Sequence, residues 1–66
     1  MRLALRDPSY TERLASFLAS VGQSSTVAAP DRVEVTAAGD EARLELELYL
    51  RVWHVLYPDA EVELAA

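Results

Sequence analysis

Residues 43–52 read Arg-Leu-Glu-Leu-Glu-Leu-Tyr-Leu-Arg-Val, and their assignment decides the fold. Leu44, Leu46, Leu48, Leu50 and Val52 alternate strictly, which is the period of an amphipathic strand. Three features favour a helix instead. Leu, Glu and Arg are strong helix formers, and the run has almost no β-branched residues. Arg43, Glu47 and Arg51 place opposite charges at successive i,i+4 spacings. Gly39 and Asp40 supply a break and an N-cap. Pro58 then stops the helix, which is expected over Asp40 to Tyr57.

Working outward, Arg32 to Ala37 alternates as a strand with Val33 and Val35 facing inward. Pro30 and Asp31 mark a turn before it, and the polar, small-residue stretch Gln23 to Ala29 allows a weaker strand, so the two read as a hairpin. Upstream lies a second helix. Asp7 or Ser9 can cap it, Pro8 suits the first helical position, and Ser9 with Glu12 forms a capping box. Tyr10, Leu14, Phe17, Leu18 and Val21 share one face, and Gly22 is the expected left-handed stop. Met1 to Arg6 alternates around Leu3 and Leu5, and Ala60 to Ala65 around Val62 and Leu64, as a short first and a short last strand.

The order β-α-β-β-α-β over residues 1–66, one small domain, resembles the split βαβ arrangement of ferredoxin-like folds. That resemblance implies an α+β protein with a four-stranded antiparallel sheet and two helices on one face. It spans the whole chain and rests on element order, and this superfold hosts many unrelated functions. Its familiar specialisations need residues that can be checked here. Small metallochaperones of this shape carry two cysteines after strand one, where this chain has Arg6, Asp7, Pro8 and Ser9. RNA-recognition modules stack bases on aromatics of the central strands, which here offer Leu3, Leu5, Val33 and Val35. Amino-acid-sensing domains of the ACT type usually carry a glycine near the first loop, and none lies between Met1 and Val21. A small-molecule-sensing domain of that type, with a pocket at a dimer interface, is the alternative reading.

Composition narrows the chemistry further. Apolar residues make up 52% of the chain, too many for intrinsic disorder. The chain has no cysteine, which removes disulfide scaffolds, thiolate zinc sites and cysteine nucleophiles. Apolar runs do not exceed three residues, so neither a membrane span nor a secretory leader is expected, and the cytoplasm is the expected location. Eleven acids against six arginines, a net charge of −5, argue against nucleic acid. Lys, Asn and Ile are absent, a bias typical of a GC-rich bacterial genome.

His54, the one histidine, sits on the polar side of the second helix with Arg43, Glu47 and Arg51 and reads as a solvated residue, since a zinc site wants three or four ligands. Asp40, Glu41, Glu45 and Glu47 complement the dipole of a helix N-terminus without any cation. The run Gln23 to Thr26 lacks both a nucleophile elbow and a phosphate cradle. No enzyme activity, cofactor or metal is expected.

The strongest signal is an apolar surplus on the second helix. Leu46, Tyr49, Leu50, Trp53, Leu56 and Tyr57 form one sector, and Leu44, Leu48, Val52 and Val55 another. One sheet needs only one of them, and the pattern leaves open which. Tyr49, Trp53 and Tyr57 stack at i, i+4 and i+8, either as core between helices and sheet or at an oligomer interface. The interface reading places Tyr49, Trp53, Tyr57, Leu46 and Leu50 there. A chain this short, without a disulfide or metal staple, often needs association, and it leaves edge strands to cover. The expectation is a non-enzymatic interaction module, a homodimer or a protein docked on a larger partner.

Overall fold

The structure, a computed structural model, describes residues 1–65. Strand β1 (Arg2–Leu5) leads through a 3₁₀ turn at Pro8–Tyr10 into α1 (Thr11–Ser20). The hairpin β2 (Ser25–Ala29) and β3 (Arg32–Val35) follows, then α2 (Asp40–Leu56) and β4 (Val62–Ala65). The strands form one antiparallel sheet in the order β2-β3-β1-β4. This α+β fold has the ferredoxin-like layout that the element order implies. No helix is long and apolar enough to cross a membrane among the described residues.

Residues 43–52 are helical, and the helix explains their alternation. A step of two residues advances about 200° around an α-helix, so every second leucine falls on the opposite side. Leu46 and Leu50 turn to the interior, while Leu44, Leu48 and Val52 are exposed. The core joins Leu3 and Leu5 of β1, Val33 and Val35 of β3, Leu14 and Leu18 of α1, Leu46 and Trp53 of α2, and Ala60. Register aligns these side chains: Leu3 lies opposite both Val33 and Leu64, and Leu5 opposite Val62. The pleat sends Arg2, Arg32, Glu34 and Glu63 to the other face. That face is charged, with Arg2 and Glu34 opposite each other and 4.0 Å apart.

The element boundaries select Asp7 from the two cap candidates and correct three expectations: the Ser9–Glu12 capping box, Asp40 as the N-cap of α2, and Ala60 as the start of the last strand. Asp7, not Ser9, caps the entry: its Oδ1 accepts from the Ser9 amide at 3.0 Å and the Ser9 hydroxyl at 2.8 Å. These bonds hold the Asp7 carboxyl below its ordinary value. Ser9 thus lies inside the 3₁₀ turn, and the Ser9–Glu12 box gives way to the Asp7 cap. At α2 the cap position is Gly39, with Asp40 and Glu41 in the first turn, because a backbone at φ +100° and ψ 167° is glycine territory. Strand β4 begins at Val62 rather than Ala60, since Ala60 is buried in the preceding turn. Gly22, at φ +82°, ends α1 as expected, with Gln23 N–H donating to Leu18 O and Gly22 N–H to Ala19 O. Buried Thr11 donates to Pro30 O at 2.7 Å and ties α1 to the hairpin turn.

Candidate functional site

The two apolar sectors of α2 have opposite fates. Leu46 and Trp53, expected at an interface, are 0% and 1% exposed, so the structure corrects their assignment to core. The Trp53 indole donates from Nε1 to Ala60 O at 3.1 Å, which satisfies its polar tip inside the chain. Its ring meets Phe17 at 5.5 Å between centroids, Tyr57 at 4.5 Å, and Tyr10 edge-on at 6.4 Å. Such tilted and edge contacts suit the quadrupoles of the rings.

Leu50 and Tyr57 are half-buried and pack against this core. Above the rings, the Arg13 guanidinium lies 5.4 Å from the Tyr10 centroid and 5.3 Å from that of Tyr57, a cation–π seal between α1 and α2. Tyr49, also half-buried, is held on its own helix, where its hydroxyl donates to Glu45 Oε1 at 3.0 Å. That bond and the Glu45 charge raise the phenol above its ordinary value. The aromatic stripe is therefore mostly helix–helix packing. The clue in the sequence was Tyr10, just before α1, and Phe17 within it, which share the inward face and need aromatic partners.

The other sector is bare. Leu44, Leu48, Val52 and Val55, joined by Leu56, are exposed by 46% to 79%. Val27 on the edge strand β2 is the one other large apolar residue so exposed among the described residues. Along a helix with about 100° per residue, the four-residue stripe points away from the sheet. Its two flanks differ. Glu45 borders one side, with Glu41 in line with the stripe at its N-terminal end; Arg43, Glu47, Arg51 and His54 border the other, with Arg43 Nε 3.4 Å from Glu47 Oε1. On this second side Leu50, Val55, Val62 and Leu64 line a shallow groove between α2 and β4.

His54 is exposed, as its polar arc predicts. It also borders an open recess with Arg6, Glu61 and Glu63, where Arg6 and Glu61 pair at 2.9 Å. No group of three His, Asp or Glu side chains that could hold a metal ion gathers among the described residues. No protein-family model matches the chain, and neither a curated protein nor a solved structure matches it significantly.

Proposed function

We propose that this chain is a non-enzymatic, cytoplasmic protein-interaction module, a small acidic protein that self-associates or docks on a larger protein through the outward face of α2. The observation that carries the reading is the exposed stripe Leu44, Leu48, Val52 and Val55. A surface helix needs one apolar stripe for its own sheet, and α2 has a second that the fold does not use. Covering a half-exposed Leu or Val is worth on the order of 1 kcal/mol, so a partner that covers all four gains a useful affinity. The polar flanks supply a rim of the kind that surrounds interface cores.

The test compares the wild type with a Leu48→Ser/Val52→Ser variant in two ways. Light scattering over a concentration series reads self-association, and chromatography of source-cell lysate on each immobilised protein reads docking. The expected result is a wild-type mass above that of the 7.3 kDa chain, or a protein retained by the wild type and lost on the variant. A wild type that stays monomeric and retains nothing the variant does not retain would overturn the reading.

A further inference from the structure

We infer that the free edge of β4 is a further interaction surface, which takes an extended segment of another protein as a fifth strand in which apolar residues alternate with Lys or Arg. This surface meets the α2 stripe only at Val55. Strand β4 closes the sheet order and pairs with β1 on one side only. Arg6 N–H donates to Glu61 O at 3.1 Å, so Glu61 and, two residues on, Glu63 turn their backbone groups to β1. The alternation of an antiparallel ladder turns the N–H and C=O groups of Val62 and Leu64 the other way, to the open edge, where they form a template for one more strand. The opposite edge suits a strand less, because β2 breaks register between Val27 and Ala29.

The two sides of the β4 edge dictate the alternation. On the helix side, Val62 and Leu64 form the apolar part of the groove together with Leu50, so residues that pair with Val62 and Leu64 send apolar side chains into it. Glu47 and Arg51 on the helix wall carry opposite charges one turn apart and set no preference of sign. On the open face, the added strand lies beside Glu61 and Glu63. Arg6 pairs with Glu61, whereas Glu63 has Ala4 opposite it on β1 and makes no ion pair among the described residues. The position beside Glu63 in an added strand is a non-hydrogen-bonded one, where side chains come closest, so Lys or Arg there gains an ion pair and an acid is repelled. The net charge of −5 attracts the same sign of partner. A second copy is a poor occupant, because pairing Val62 with Leu64 of another β4 sets Glu63 against its own counterpart.

Nuclear magnetic resonance titrations of the full chain with an alternating Lys-Val octapeptide and its Glu-Val counterpart test the assignment. The Lys-Val peptide should bind about tenfold tighter and slow hydrogen exchange at the Val62 and Leu64 amides. Glu63→Lys should reverse the order of the two peptides. A Lys-Val peptide N-methylated at its valines keeps its charge but loses the donors that reach Val62 and Leu64, and should lose most of its binding. Circular dichroism confirms that each variant folds. The Leu48→Ser/Val52→Ser variant should bind the Lys-Val peptide as the wild type does, which separates this surface from the α2 stripe.

No binding of the Lys-Val peptide at millimolar concentration overturns the inference. So does an order of peptides that Glu63→Lys leaves unchanged, or undiminished binding of the N-methylated peptide, since either makes the attraction one of overall charge. Protection of the Val62 and Leu64 amides in a wild-type dimer without peptide makes a second copy the occupant and overturns the basic partner.

Discussion

Helices α1 and α2 lie on the same face of the same sheet, yet their outer surfaces differ. On α1 the inward Leu14 and Leu18 are buried, and the outward positions are Glu12, Arg13, Ser16, Ala19 and Ser20. On α2 the inward Leu46 and Trp53 are buried, and the outward positions include Leu44, Leu48, Val52 and Val55. Since both helices face the same sheet and solvent, the requirements of the fold do not account for the second surface. Helix α1 serves as the internal reference: ten residues with one apolar stripe, burying Leu14 and Leu18, suffice for packing on the sheet. The surplus on α2 is a property added to the fold, and variants of the two helices can separate the shared role from the added one.

The inward faces should behave alike and fail hardest. Trp53→Ala removes the ring that joins α2 to Tyr10 and Phe17, and is expected to cost about 3–5 kcal/mol, as much as many small domains possess. Leu14→Ala on α1 is expected to cost about 2–5 kcal/mol. Urea titrations followed by circular dichroism check both, and Trp53→Ala should show no cooperative transition. Trp53→Phe keeps a ring but leaves Ala60 O without its donor, so a partial loss should separate packing from the hydrogen bond. A wild-type midpoint for Trp53→Ala would place the aromatic cluster outside the core and erase the distinction between the two sectors of α2.

The element order was legible because each strand and helix keeps its own hydrophobic period, so Leu3 and Leu5, Val33 and Val35, Leu14 and Leu18 all point where their spacing puts them. The caps were not. A capping partner depends on the local backbone angles at the helix entry, and Ser9 or Asp7, Gly39 or Asp40, satisfy the same pattern. The existence of two apolar sectors on α2 was equally legible, but which one faces the sheet was not. That choice is made by Tyr10, Phe17 and Ala60 O, which a reading of α2 alone does not contain. Aromatic residues suit both interfaces and cores, so residue type drew the interface expectation toward Trp53 and away from Leu48 and Val52.

The glycines at the two helix boundaries extend the comparison to the backbone. Gly39, before α2, has φ +100° and ψ 167°, while Gly22, after α1, has φ +82°. A Cβ at either meets nothing within 4 Å, so the cost of alanine is conformational alone. Gly39→Ala is expected to lose about 1–3 kcal/mol. Gly22→Ala should lose about 1 kcal/mol, and Gly22→Asn less, because asparagine tolerates the left-handed region. Thermal melts of the three variants check the order, and an unchanged melting temperature for Gly39→Ala would show that α2 can begin without the glycine conformation.

The smallest effect is the most informative about the added surface. Leu48→Ser, measured on dilute protein below any association, should change folding stability by no more than about 0.5 kcal/mol, since Leu48 packs on nothing in the core. The matching change on α1, Ser16→Leu, should be equally silent for folding, because it adds an apolar side chain where the fold makes no demand. Equal silence of both variants in urea titrations would mean that the outer surface of α2 is as free of structural duty as that of α1, so its leucines and valines are explained by what they touch outside the chain. A loss of 2 kcal/mol or so from Leu48→Ser, with Ser16→Leu unchanged, would instead make the stripe part of the fold and remove the difference between the helices on which the interaction surface rests.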